Sequence, residues 1–78
     1  MGAKSVPIKK YRKYLISLGL KHIRTKASHE IWDYPNDPLL RPITVDSHYT
    51  DVPITHIHTT LKTLGISKTE FMKALNSL

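Results

Sequence analysis

Cysteine is absent from this sequence of 78 residues. Its absence excludes a disulfide framework, a thiolate metal site and a cysteine nucleophile. Apolar runs reach only three or four residues, whereas a membrane-spanning helix needs about 20. The first residues also lack the apolar core of a signal peptide. We therefore expect one small, soluble, cytoplasmic domain that does not enter a membrane.

Acidic residues are missing from the first 26 positions, which carry eight of the 12 lysines and arginines. Positions 27–52 carry five of the six acidic residues, and the net charge of the chain is +6. An acid-free basic segment is typical of a surface that binds a polyanion such as nucleic acid. The alternative is a solvated lysine-rich helix that binds nothing.

Apolar residues near the N-terminus recur with a helical period. The spacing predicts a helix over residues 6–18, capped by Ser5, with Pro7 in its first turn and Gly19 after its end. Its apolar stripe consists of Ile8, Tyr11, Leu15 and Leu18, with Tyr14 beside them. We expect this stripe to face the core.

Three strands are predicted in the middle of the chain, over residues 20–26, 30–34 and 41–46. Ala27-Ser28 is a short connection between the first two, and residues 35–38 (Pro-Asn-Asp-Pro) form a strong turn signal. Pro42 must lie at the start of the third strand or on a sheet edge. The pattern indicates an antiparallel sheet.

The helical period returns after Pro53. Ile54, Ile57, Leu61 and Leu64 are spaced by 3, 4 and 3, and Gly65 ends this helix. Residues 67–70 (Ser-Lys-Thr-Glu) match a capping box that opens a last helix, with Phe71, Leu75 and Leu78 turned inward. The predicted class is α+β in the order α-β-β-β-α-α, with helices on one face of the sheet and the third helix at the edge.

Two other patterns suggest sites of different chemistry. His56 and His58 share a face only on a strand. On the predicted helix they point about 200° apart and cannot hold one metal ion. The Gly65-Ile66-Ser67 corner is similar to the turn of a DNA-binding helix-turn-helix, in which Lys68, Lys73 and Asn76 would read bases. An ordinary glycine-capped corner is the interpretation we favour.

A histidine follows the predicted turn between the first two strands. His29 comes directly after Ala27-Ser28, and Arg24 and Lys26 precede that turn. Metal-free cleavage of RNA uses the 2′-hydroxyl of the substrate as nucleophile, so the protein must move a proton near pH 7 and stabilise the phosphate. Histidine titrates in that range, and such assistance is worth roughly 10²–10⁴-fold. The alternative is an ordinary surface or packing histidine.

The chain as a whole resembles the HicA-type (YcfA-like) family of mRNA interferase toxins from bacterial toxin–antitoxin modules. The resemblance covers about residues 5–75 and includes Leu18-Gly19, the segment 24–29 (Arg-Thr-Lys-Ala-Ser-His), the strand ending at Pro35, the strand 43–45, and the segment from Thr60 to Phe71. It implies a fold like a double-stranded-RNA-binding domain, a HicB-type antitoxin partner and no cofactor. It also implies that His29 is the catalytic residue.

Two positions depart from the family's turn motif of glycine, serine and histidine. Ala27 takes the place of the glycine, and an alanine is strained there if φ is positive. Glu30 stands where a second histidine often follows the first. A carboxylate beside His29 would raise the pKa of the imidazole and repel phosphate.

The alternation along the second strand decides which way His29 faces. His29 and Ile31 share one side, and Glu30 and Trp32 share the other. We expect Trp32 to face the core, because burial of the indole removes more apolar area from water. His29 would then lie on the open side of the sheet.

The leading hypothesis is a metal-independent RNA-cleaving toxin with His29 as general acid and base. Its substrate-binding residues would be Arg24, Lys26 and Ser28 at the turn and Lys9, Lys10 and Lys13 on the first helix. The alternatives are an RNA-binding module of the same fold without catalysis and, third, the helix-turn-helix DNA binder.

Overall fold

The computed structural model describes residues 6–78. Its elements are α1 (Ile8–Ser17), β1 (Lys21–Lys26), β2 (His29–Asp33), β3 (Ile43–Asp46), α2 (Ile54–Leu64) and α3 (Lys68–Asn76). This order confirms the predicted α+β class with the succession α-β-β-β-α-α. No helix within residues 6–78 is long and apolar enough to cross a membrane.

The strands form an antiparallel sheet in the order β1-β2-β3, so β2 is central and β1 and β3 are edges. Lys26 pairs with His29 across the first hairpin, and His29 pairs with Asp46 across the second connection. A bulge interrupts β1 between His22 and Arg24. Pro42 precedes the edge strand β3, in agreement with the restriction on proline in sheets.

One face of the sheet carries the core, and we call it the core face. It presents Trp32, Ile43 and Val45, each at most 4% exposed, to the helices. The opposite face, which we call the open face, carries Lys26, His29 and Asp46. The inward orientation predicted for Trp32 is confirmed, since Ile31 on the open face is only half-buried.

The first helix begins differently from the prediction. Ser5, the predicted cap, lies outside the described residues, and Pro7 occupies the N-cap position without a side-chain cap hydrogen bond in the described part of the chain. A backbone bridge joins Pro7 to Asp51: the Ile8 N–H donates to Thr50 O at 2.9 Å, and the Val52 N–H donates to Val6 O at 2.8 Å. The start of α1 is therefore fixed by a long-range contact with the segment before α2.

Both predicted helix-ending glycines have the left-handed backbone that this role requires. Gly19 has φ +95° and Gly65 has φ +69°. In each case the next residue closes the helix, since Leu20 N–H donates to Leu15 O and Ile66 N–H donates to Leu61 O. At α3, Ser67 Oγ accepts from the Glu70 N–H at 3.1 Å, which confirms the predicted cap.

The third helix is more central than expected. Phe71 is 1% exposed, and its ring makes edge-to-face contacts with Tyr14 at 4.9 Å and Tyr11 at 6.4 Å between centroids. Leu75 is buried as predicted, whereas Leu78 is 47% exposed, so its predicted inward orientation is wrong. Packing of α3 onto α1 extends the core beyond the area of the small sheet.

Candidate functional site

His29 is the first residue of β2 and lies at the hairpin end of the sheet. Its side chain is 52% exposed on the open face. Lys26 is its direct partner on β1, and residues that pair directly across two strands project from the same face. The structure therefore brings a solvent-accessible imidazole and a lysine together at the turn.

A carboxylate flanks His29 on the other side. Asp46 Oδ2 lies 3.8 Å from His29 Nε2, which is ion-pair distance. The backbone N–H of His48 donates to Asp46 Oδ1 at 3.0 Å, and this bond, with the Ser28 hydroxyl and the nearby His29, holds the pKa of the Asp46 carboxyl below its ordinary value. An ionised Asp46 therefore places a negative charge beside the His29 ring.

The turn before His29 is held against the end of β3. Ser28 O accepts from the Ser47 N–H at 2.8 Å and from Ser47 Oγ at 2.9 Å. Ala27 has φ +55°, in the left-handed region that glycine adopts without steric cost. The turn therefore carries an alanine in a strained backbone conformation, as expected for a positive φ at this position.

The predicted substrate-binding cations fall into two separate groups. Arg24 pairs with Ile31 and Lys26 pairs with His29, so both project from the open face, and Ser28 lies in the turn. The second group comprises Lys9, Lys10 and Lys13 on α1, whose layer covers the core face. The structure thus brings Arg24, Lys26 and Ser28 to His29 and places the helix lysines on the other side of the sheet.

Glu30 does not oppose phosphate at His29, contrary to the expectation. Its side chain points to the core face and is 7% exposed. Arg12 holds the carboxylate with two hydrogen bonds, through Nε at 3.0 Å and through Nη2, and Trp32 Nε1 donates to it at 3.0 Å. The Arg12 guanidinium, with the Trp32 indole, keeps the pKa of Glu30 below its ordinary value. The charge of Glu30 is therefore neutralised within the fold.

A cleft of about 320 Å³ extends from His29 past the edge strand β3 to α2. Its polar lining includes Asp46, Tyr49, His56, Thr59 and Thr63, in addition to His29. The Tyr49 and His56 rings meet edge to face at 5.7 Å between centroids. No sequence pattern marks Tyr49, and the sequence suggests only a metal-ligand role for His56. These two residues line the same cleft as His29 only because α2 packs beside β3.

The residues of the metal pattern lie on α2, and those of the DNA-binding pattern lie on α3. His56 and His58 lie on α2, as predicted, and residues 6–78 contain no group of three or more histidines and acidic residues placed to hold a metal ion. Lys68, Lys73 and Asn76 are exposed on α3 after a left-handed Gly65. The glycine geometry is that of an ordinary capped helix corner.

Comparisons with known proteins do not indicate a function for this chain. No family model matches the chain, and searches of the curated proteins and of the solved structures find no match. What the structure itself offers is an exposed histidine between a lysine and a carboxylate, at the mouth of a cleft.

Proposed function

We propose that this protein is a metal-independent RNA-cleaving enzyme of the HicA toxin type. The observation that carries the proposal is the position of His29, half-exposed on the open face between Lys26 and Asp46. An imidazole with a carboxylate on one side and a cation on the other has the parts needed for proton transfer next to a phosphate. The sequence resemblance assigns the same residue to catalysis.

The reaction is an internal displacement at phosphorus. His29 removes the proton of the 2′-hydroxyl, and the 2′-oxygen forms a bond to the adjacent phosphorus. The bond from phosphorus to the 5′-oxygen of the next nucleotide then breaks, giving a 2′,3′-cyclic phosphate and a 5′-hydroxyl. Asp46 stabilises the imidazolium that forms, and Lys26 and Arg24 stabilise the charge on the phosphate oxygens.

Alternation along β2 removes the Glu30 carboxylate from the open face, where Asp46 remains beside His29. Lys26 and Arg24 lie on the open face with His29, whereas the Glu30 carboxylate is turned to the core and paired with Arg12. Attraction of the RNA backbone by these cations does not depend on sequence and weakens as salt is raised. We expect the lysines of α1 to add only to long-range attraction.

The test is cleavage of a short RNA by the purified protein in the presence of EDTA. Wild type is expected to produce 2′,3′-cyclic phosphate ends, and His29→Ala and His29→Gln are expected to lose roughly 10²-fold or more of the rate. His58→Ala, a change at an exposed histidine of α2, is the matched control and should keep full activity. An RNA with a single 2′-deoxy nucleotide at the cut site should bind and stay intact.

Cleavage that survives in a folded His29 variant, or that continues at the 2′-deoxy position, contradicts the proposal. A growth assay gives the same answer in cells, because expression of wild type should stop growth and expression of His29→Ala should not. The activity belongs in the cytoplasm, where mRNA is found.

Binding of RNA without cleavage is the second candidate. It is favoured by β1, where all six residues are exposed and no acidic residue occurs. RNA that is shifted in a gel but remains intact with wild-type protein would support it. The helix-turn-helix alternative predicts instead that Lys68→Ala and Asn76→Ala weaken DNA binding and that His29→Ala does not.

The resemblance also supplies a partner, a HicB-type antitoxin that binds the toxin and covers the site. If it binds there, addition of antitoxin should block both RNA binding and cleavage, and Lys26 should become protected from lysine-reactive reagents. Antitoxin that inhibits without protecting Lys26 acts from another surface.

A further inference from the structure

The proposed cleavage needs a second proton transfer that His29 does not provide while it acts as base. The 5′-oxygen leaves phosphorus as an alkoxide unless it receives a proton as the bond breaks. In a displacement in line with the leaving group, the base and the acid lie on opposite sides of the phosphate. The structure should therefore offer a proton donor across from His29, and this question rests on the proposed function.

The cleft of about 320 Å³ contains such a group. His56 is the third residue of α2, is half-buried, and lines the same cleft as His29. The two histidines reach the cleft from different elements, His29 from the central strand β2 and His56 from α2. Its volume falls at the lower end of the range of small-ligand pockets, roughly 300–1,000 Å³.

The surroundings of His56 hold its ring in place. Tyr49 contacts it edge to face, with 88° between the ring planes. The backbone N–H of His56 donates to Pro53 O at 3.0 Å, which fixes the main chain that carries the ring. Among the described residues, the titratable side chains that line the cleft are His29, Asp46, Tyr49 and His56. Asp46 is engaged with His29 and the His48 N–H, so it is not the proton donor.

We propose that His56 is a second catalytic residue, the general acid that protonates the 5′-oxygen of the leaving nucleotide. As the phosphorus–oxygen bond breaks, the electron pair goes to the 5′-oxygen and the imidazolium of His56 supplies the proton. After cleavage His29 holds the proton from the 2′-hydroxyl, and His56 is neutral. Proton exchange of the two histidines with water restores a neutral His29 and a protonated His56. The cleft beside β3 accordingly accommodates the nucleotide on the 5′-oxygen side of the cut.

An RNA with a sulfur atom in place of the leaving 5′-oxygen distinguishes a general acid at His56 from a residue that only binds the nucleotide. A thiolate leaves without a proton, so a general acid gives it no help. His56→Gln should lose roughly 10²–10⁴-fold on the ordinary RNA and should cleave the sulfur substrate within a few-fold of wild type. His29→Gln should be slow on both, because the 2′-hydroxyl still has to be deprotonated.

His58→Gln, on the same helix but outside the lining of the cleft, is the matched control and should equal wild type on both substrates. Tyr49→Phe keeps the edge-to-face contact and removes only the hydroxyl, so it tests whether Tyr49, and not His56, donates the proton. Thermal unfolding of each variant shows whether it is folded, and His56→Asn replaces His56→Gln if the latter melts early.

The possible failures point to different errors. Wild type that cleaves neither substrate overturns the proposed function itself. Wild type that cleaves, with His56→Gln equally active on ordinary RNA, overturns only the role of His56. If His56→Gln loses the same activity on both substrates, His56 binds the nucleotide and does not donate a proton. If Tyr49→Phe is slow on ordinary RNA and normal on the sulfur substrate, the general acid is Tyr49. Both of these results also overturn the proposal.

Discussion

Loss of one partner of the ion pair between Arg12 on α1 and Glu30 on β2 should destabilise this fold. Arg12→Met would remove the guanidinium and keep most of the apolar stem. It would leave the Glu30 carboxylate, on a residue that is 7% exposed, with the indole N–H of Trp32 as its remaining hydrogen bond among those the structure shows. A buried charge without its partner is one of the few single changes that cost several kcal/mol.

The magnitude follows from the burial of the two side chains. Breaking a fully buried pair costs about 3–5 kcal/mol, and the Arg12 side chain is 31% exposed while that of Glu30 is 10% exposed. We therefore expect Arg12→Met to cost about 2–4 kcal/mol. A domain of this size has a free energy of unfolding of about 4–12 kcal/mol, from roughly 0.05–0.15 kcal/mol per residue. The melting temperature should fall by on the order of 8–32 °C, at about 4–8 °C per kcal/mol.

A double-mutant cycle isolates the cause. Glu30→Gln should cost less than Arg12→Met, since the amide oxygen still accepts from Trp32 and the partly exposed Arg12 can turn to solvent. Arg12→Met combined with Glu30→Gln should be more stable than Arg12→Met alone, by about 1–2 kcal/mol, because the unpaired buried charge is gone. Urea unfolding followed by far-UV circular dichroism measures all four proteins. A double variant no more stable than Arg12→Met would refute the reasoning.

The same pair has a signature in pH. In wild type the pKa of Glu30 is lowered on folding. The ionised carboxylate therefore stabilises the folded protein at pH values above the unfolded pKa of Glu30, about 4.3. This stabilisation is lost as the pH falls through the folded pKa. Without Arg12, the largest cause of the lowered pKa of Glu30 is gone, while burial still disfavours the ionised carboxyl. Protonation then relieves part of the cost. The stability difference between Arg12→Met and the double variant should therefore shrink from pH 7 to pH 4.

Two further changes test the backbone and the core. Ala27→Gly should raise the free energy of unfolding by about 0.5–1 kcal/mol in a thermal or urea titration. An alanine at φ +55° carries left-handed strain of roughly 1–2 kcal/mol, which is partly offset by the greater freedom of a glycine in the unfolded chain. A lower melting temperature of the glycine variant would contradict this. Tyr11→Phe should leave the stability unchanged within about 0.5 kcal/mol or raise it. The Tyr11 hydroxyl is buried, with its pKa raised to about 12 by burial, and has no hydrogen-bond partner of ordinary geometry within residues 6–78. A loss of more than about 1 kcal/mol would show that it bonds to the neighbouring Thr60.

The helices and their ends could be predicted because local rules determine them. Apolar spacing placed Tyr11, Leu15 and Leu61 in the core, and Gly19 and Gly65 ended the helices by taking a left-handed backbone. The start of α1 could not be predicted in the same way. Its first free N–H is satisfied by Thr50, 42 residues further along the chain, and nothing near Pro7 in the sequence signals that contact.

The candidate site was predictable on one side only. Alternation along β2 and the size of the indole placed Trp32 inside and His29 outside, and the hairpin placed Lys26 opposite His29. Asp46 and His56 could not be assigned to the same site, because their approach to His29 depends on the register of β3 and on the packing of α2. In the sequence alone, His56 does not indicate a catalytic role. The role is suggested only by the cleft that His56 and His29 both line.

Two neighbouring residues of β2 have different roles because their side chains lie on opposite faces of the sheet. His29 and Glu30 are adjacent, and the period of two in a strand sends one to the open face and the other to the core. Glu30 binds Arg12 and stabilises the docking of α1, so its charge is removed from the face on which His29 meets solvent. A histidine at position 30 in place of Glu30 would face Arg12 and add nothing to the open face. One histidine at the turn is therefore what this strand can offer, and any second proton-transfer group has to come from another element, as His56 does from α2.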